Sequence, residues 1–235
     1  MWTRPSSNQG LIDMATYSSS ENKLVLKIVY YGPALSGKTT NLMQLHSQLR
    51  PQRKGELMAL ETRDDRTLFF DMLPIGLRSE GGLDLRVKLY TVPGQVQHDS
   101  TRKAVLSRAD GAIFVADSQL NQQDNNAFAF DNLAANLQKL GMDIEQLPLA
   151  VQFNKRDRQD AIEEHKLRAR WSSTPWAPLT LASALNGQGV VESFRQLLGR
   201  LYPAVDAEFA LARDHAIDSQ AFIQNLSATG GPSNA

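Results

Sequence analysis

A doubly wound, mostly parallel α/β sheet with helices on both faces is the fold this sequence predicts. Three observations carry that expectation. Short apolar runs alternate with segments of helical periodicity along most of the chain. A glycine-bearing turn joins the first run to the first helical pattern. Two successive strand-like runs have no helix between them, which predicts a hairpin and one antiparallel edge strand.

The elements follow in order. Residues 1–22 are rich in Ser, Thr, Asn and Gln and read as a flexible N-terminal extension, with Met14 an alternative start. Leu24 to Tyr31 is an apolar run too short for most helices and suited to a strand buried on both faces. It ends in Gly32-Pro33, and Leu42, Leu45 and Leu49 then recur at helical spacing. Further strands are expected at 67–75, 83–92, 111–117, 148–153 and 178–182. Gly76 and Gly81-Gly82 place the hairpin between the first two. Helices are expected at 124–140, closed by Gly141 as a C-cap, at 160–171 and at 189–202. One domain therefore spans 23–203. The extension 204–235 carries an uneven apolar face (Phe209, Leu211, Ile217, Leu226) that fits a short helix, and 227–235 read as disordered.

Composition excludes several classes of function. Acidic and basic residues balance at 25 each, so no overall field favours nucleic acid or anionic lipid. Cysteine is absent, which removes disulfides, thiolate metal sites, thiol nucleophiles and thioether or thioester lipid anchors. Trp2 is incompatible with N-terminal myristoylation. No apolar run approaches the roughly 20 residues needed to span a bilayer, and a signal-peptide core is lacking. A soluble cytoplasmic protein is expected, monomeric alone, whose recruitment to a membrane or cell pole runs through partners.

Gly32-Pro33-Ala34-Leu35-Ser36-Gly37-Lys38-Thr39 is a complete phosphate loop placed between a strand and a helix. Backbone N–H groups from Ala34 to Thr40 are expected to curl around phosphates, helped by the helix N-terminus. Lys38 would reach the β- and γ-phosphates and Thr39 would ligate Mg²⁺. Asn154-Lys155-Arg156-Asp157 selects the base: the Asp157 carboxylate can accept from both N1–H and N2–H₂ of guanine, a donor pair adenine lacks. Asn154 can tie its loop to the phosphate loop, and the Lys155 stem can cover the base. Ser183-Ala184 offers a backbone N–H for guanine O6. Between these motifs, Gly94 and Gln95 follow an apolar strand, where they could present an N–H to the γ-phosphate and orient the attacking water. Thr67 is the candidate second Mg²⁺ ligand, and Arg66 beside it a candidate arginine finger supplied in cis.

The strings Lys27–Pro33, Gly37–Leu42, Asp65–Asp71, Leu89–Gln95, Phe114–Ser118 and Val151–Asp157 resemble the bacterial MglA-type branch of Ras-like GTPases, the polarity and gliding-motility switches. The likeness covers about 24–202. It implies a P-loop NTPase fold that binds GTP or GDP with Mg²⁺. It also implies slow intrinsic hydrolysis with Arg66 as the arginine finger, Gln95 as the water-positioning residue and Thr67 as the switch threonine. A dimeric roadblock-type partner would accelerate hydrolysis by ordering these groups, and the central strand would shift register between nucleotide states. Two residues depart from Ras-like patterns. Thr91 stands where most have an Asp that holds Mg²⁺ through water, and Ala34 where most have Gly. An alternative reading follows from them, a nucleotide-locked interaction module that hardly turns GTP over.

Overall fold

The computed structural model describes residues 16–61, 69–93 and 99–230. An eight-stranded sheet organises them: β1 (Thr16–Ser18), β2 (Lys23–Tyr31), β3 (Met58–Glu61), β4 (Phe69–Arg78), β5 (Asp84–Thr91), β6 (Gly111–Asp117), β7 (Leu149–Asn154) and β8 (Thr180–Leu181). The strand order is β3-β4-β5-β2-β6-β7-β8. β5, β2, β6, β7 and β8 are mutually parallel, β4 runs antiparallel to β5, and β3 pairs antiparallel on its outer side. The helices are α1 (Lys38–Gln48), α2 (Asp99–Leu106), α3 (Gln123–Lys139), α4 (Glu164–Trp171), α5 (Val190–Phe209), α6 (Leu211–His215) and α7 (Ser219–Leu226).

Alternation along the central strands divides the core in two. Leu24, Leu26, Ile28 and Tyr30 of β2 face one side, with Leu42 and Leu45 of α1 and Phe194, Leu197 and Leu201 of α5. Val29 and Tyr31 face the other side, with Leu106 of α2, Leu133 and Leu137 of α3 and Leu167 of α4. Every residue of β6 is buried, as expected of a central strand covered on both faces. The doubly wound expectation holds, including the hairpin between β4 and β5.

The structure departs from the expectation at both ends. Residues 16–18 are not a loose lead-in, because β1 pairs with Lys23–Val25 of β2. In the tail, α5 does not stop at Pro203. It continues to Phe209, and the loss of one backbone donor and the ring clash are offset because Val205 remains buried in the core. Ala210 and Ala216 then break the chain with φ of 49° and 54°, producing two short helices in place of one. Leu211, Phe222 and Leu226 have no exposed surface, so the tail is part of the core.

Two polar features brace the parallel strands from within. Gln152 Nε2 donates to Asn41 Oδ1 at 2.9 Å and to Ser193 Oγ at 2.8 Å, joining β7 to α1 and α5. Asn41 Nδ2 in turn donates to the Gly37 carbonyl at 2.9 Å, under the phosphate loop. At the other end of the sheet, Asp110 Oδ2 accepts from the Lys27 N–H at 2.7 Å. Burial, helped by the Glu208 charge and opposed by the hydrogen bond and charge of Lys27, pushes this carboxyl up to about 6.

A raised carboxyl favours the folded state while protonated, and that contribution is lost as pH rises from about 4 through 6. Asp110→Asn should therefore gain on the parent protein across that window, by at most about 3 kcal/mol, and run parallel to it above pH 7. Urea denaturation from pH 4 to 8 measures this; a constant offset between the two proteins would refute the buried titration.

Candidate functional site

The phosphate loop lies where β2 turns into α1. Gly32 and Gly37 are required there by close approach as well as conformation. Gly32 has φ of 145°, and a Cβ on it would stand 2.2 Å from the Val115 carbonyl oxygen. Gly37 has φ of 96°, and its Cβ would meet Asn154 Nδ2 at 2.3 Å. Leu35 adopts a left-handed φ of 61° and is 88% exposed at the loop's tip. Ala34 is exposed beside it, and Thr40 lies in the first turn of α1.

Lys38 is 7% exposed and donates to the carbonyls of Gly32 at 3.0 Å and Pro33 at 2.7 Å. Burial, and after it the positive charge of Arg102, lower this ammonium to about 8. Ser36 Oγ is buried without a hydrogen-bond partner among the described residues. A desolvated cation, an unsatisfied hydroxyl and glycines that a side chain would obstruct together fit a bound polyphosphate.

The oxygen cluster beside Lys38 has a member that motif reading overlooked. Thr39 Oγ1 donates to Asp71 Oδ2 at 2.6 Å, and Thr91 Oγ1 donates to the same oxygen at 3.1 Å. Thr91 Oγ1 also accepts from the Asp71 N–H at 2.9 Å, which locks β4 against β5. Lys38, Thr39, Asp71 and Thr91 line a cavity of ≈ 380 Å³ that opens on the loop. Hydroxyl and carboxylate oxygens form a hard donor set suited to Mg²⁺. The signal for Asp71 was a carboxylate interrupting the apolar run Leu68–Leu73, on a strand predicted to pair with the one ending at Thr91.

The base-selecting loops assemble around Asn154, which is 3% exposed at the end of β7. Its Nδ2 donates to the Ser36 carbonyl and its Oδ1 accepts from the Ala184 N–H, both at 2.8 Å. The Ala184 N–H, expected to face a base, is thus directed at Asn154 in this arrangement. Ser183 Oγ donates to Asp157 Oδ1 at 2.5 Å and orients that exposed carboxylate. Lys155, with φ of 67°, places its ammonium 2.6 Å from Asp117 Oδ2 at the end of β6. Sequence reasoning missed Asp117. Four strand ends thus converge on one rim. Arg66, Thr67, Gly94 and Gln95 lie outside the described residues.

No helix among the described residues is long and apolar enough to cross a membrane. No protein-family model matches the chain. The mutual gliding-motility protein MglA of Myxococcus xanthus (strain DK1622) is 41% identical over 182 residues, spanning 77% of this chain and 93% of that protein.

Because Asn154 satisfies one buried donor and one buried acceptor on separate loops, Asn154→Ala should leave both unpaired. At about 1–3 kcal/mol for each orphaned group, the loss should total roughly 2–6 kcal/mol. Urea denaturation of the ligand-free protein measures this, and a loss under about 1 kcal/mol would show that the three loops stand without it.

Proposed function

The chain belongs to the MglA family of small Ras-like GTPases, and from that premise we propose that it is a partner-controlled switch in bacterial motility or polarity, which binds GTP or GDP with Mg²⁺ and hydrolyses GTP slowly. The single observation that carries the guanine assignment is the Asn154 bridge between Ser36 and Ala184, with Asp157 aligned by Ser183. The GTPase unit is assigned to 23–203, with 1–22 and 204–235 as extensions.

Each residue has a task in this reading. Backbone N–H groups of 34–40 and the Lys38 ammonium take the phosphates, and the nucleotide's negative charge relieves the cost of burying Lys38. Asp157 takes the guanine edge. Asn154 holds the two loops in register, and Ala184 positions Asn154. Mg²⁺ when bound neutralises charge on the β- and γ-phosphates. Thr39 and Thr67 are its candidate ligands, and Asp71 supplies the carboxylate that Thr91 lacks. Gly94 contributes a backbone donor near the γ-phosphate. Gln95 orients the attacking water and Arg66 meets the charge that develops on the transferring group.

Unassisted turnover is slow in this account, with Arg66 and Gln95 taking full effect only in complex with a partner. A dimeric roadblock-type protein is the partner that would place them, and recruitment to a pole or membrane would follow partners of that kind. The proximity of Asp71 to Thr39 weighs against the nucleotide-locked alternative. That reading rests on Ala34 and on Thr91 as a missing metal partner, and for Thr91 the carboxylate is supplied from the neighbouring strand.

Single-turnover GTP hydrolysis with and without a roadblock-type dimer from the same genome tests the switch. Acceleration is expected, and Arg66→Ala should remove about 10³-fold or more of the stimulated rate. A flat response to the partner would favour the locked module.

The metal assignment has its own measurement. Asp71→Asn should raise the Mg²⁺ concentration needed to slow GDP release by about tenfold or more, in line with the loss of a supporting carboxylate. An unchanged Mg²⁺ dependence would remove Asp71 from the metal site.

A further inference from the structure

The last described residues, 225–230, are stitched to the segment that leaves α1. Gly230 N–H donates to the Gln48 carbonyl and Arg50 N–H donates to the Ala228 carbonyl, both at 2.9 Å, with Leu49 and Thr229 paired as an antiparallel bridge. Arg50 Nε donates to the Thr229 carbonyl at 3.0 Å, and an Arg53 guanidinium nitrogen donates to Asn225 Oδ1 at 3.2 Å. These contacts are held at the base by Ser227, which is fully buried and accepts from Arg195 Nε of α5 at 2.9 Å.

The same segment is bonded to β4 on its other flank. Lys54 bridges Ile75, and Gly55 N–H donates to the Pro74 carbonyl at 2.9 Å. Residues 48–57 are therefore a strap with the tail on one side and β4 on the other. β4 carries Asp71, whose carboxylate meets Thr39 and Thr91. Beneath the strap, α7 packs on α5 and on β4, with Phe222 and Leu226 in the same core cluster as Leu73, Ile75 and Leu77.

We infer that residues 225–230 are an intramolecular latch: by holding the strap 48–57 they hold β4 and Asp71 in place, and their release speeds guanine-nucleotide dissociation. The inference rests on the nucleotide-binding reading given above. Its physical basis is that the strap has no regular helix or long ladder of its own. Its short 3-10 turn, Pro51–Arg53, contains no buried residue, so between the buried Leu49 and the partly buried Leu57 its position is set by the bonds at its two flanks. Removing those to the tail leaves it held by its bonds to β4, by the buried Leu49 and by the Lys54 ammonium on the His46 carbonyl. Coupling carried through such a packed network is typically worth a roughly 2- to 30-fold change in an equilibrium or rate at the distant site.

The test compares the full chain with a version ending at Ser227, which loses the 228–230 pairing and keeps Phe222, Leu226 and the Asp218 cap of α7. Asn225→Ala, in the full-length chain, removes only the side-chain acceptor for Arg53. Two quantities are followed: release of a fluorescent GDP analogue chased by unlabelled GDP, and amide hydrogen exchange over 48–57 and 69–78. The latch predicts release about 2- to 30-fold faster for the truncated chain, with a smaller change for Asn225→Ala, and faster exchange in both segments. Faster exchange confined to 48–50 with unchanged release would overturn it. Should the full chain fail to bind the GDP analogue, the nucleotide reading itself fails. The exchange data still decide the physical link in that case, since unchanged protection over 69–78 refutes it. Should truncation unfold the chain, Asn225→Ala decides on the same two readouts, with no change in either counting against the latch.

Discussion

Three loops from distant parts of the chain meet at one side-chain amide. Asn154 offers a donor to the phosphate loop and an acceptor to the loop after β8, and it is sealed from solvent while doing so. A buried amide with both ends satisfied is a rigid spacer, because losing either bond would strand a polar group in the interior. The constraint reaches backward into the sequence. Position 37 must be glycine because a Cβ there would overlap Asn154 Nδ2. It also reaches downward, since Gly37 is gripped by Asn41, and Asn41 by Gln152 of the same strand that ends in Asn154. A closed circuit of hydrogen bonds thus surrounds the start of α1, and the phosphate loop is shaped by that circuit before any ligand arrives.

Pre-shaping has an electrostatic cost, and Lys38 bears it. Its ammonium is nearly enclosed and held by two neutral carbonyls, with another cation, Arg102, close enough to lower it further. Such a site is stable enough to fold and incomplete without an anion. The asymmetry favours polyphosphate over any neutral ligand, and it arises from burial on a scaffold already fixed by Asn154.

Sequence periodicity recovered the elements whose burial is uniform and missed those whose order comes from a partner. β6 was bounded correctly at 111–117 because all its residues are buried and both ends are polar. β3, Met-Ala-Leu-Glu, has helix-favouring residues and is a strand only through its ladder with β4. α2 presents few buried apolar positions, Val105 and Leu106 among them, in an otherwise polar run, too little for a period to show. In the tail the apolar face looked uneven because it belongs to three helices. The breaks between them fall at Ala210 and Ala216, where no glycine or asparagine announces a left-handed turn. In the site, the phosphate loop and Asn154-Lys155-Arg156-Asp157 were visible as contiguous motifs. Asp71 and Asp117 were not, since each acts on a residue dozens of positions away.

The pairing of Asp71 with Thr91 shows why this matters for the chemistry. In the usual Ras-like pattern the carboxylate stands at the position of Thr91, at the end of β5. Here the hydroxyl stays on β5 and the carboxylate stands on β4, one strand further toward the edge. The quality of the oxygen cluster then depends on the antiparallel register between β4 and β5. A one-residue slip would turn Asp71 to the opposite face of the sheet, away from Thr39. Outward, β4 is flanked among the described residues by the four residues of β3, which pair with residues 69–72. Beyond those pairs β4 is held by its ladder with β5 on one side and by the strap at Pro74 and Ile75 on the other, with α7 packed against it. The oxygen cluster at the phosphate loop and α7, the last described helix, thus both rest on one strand.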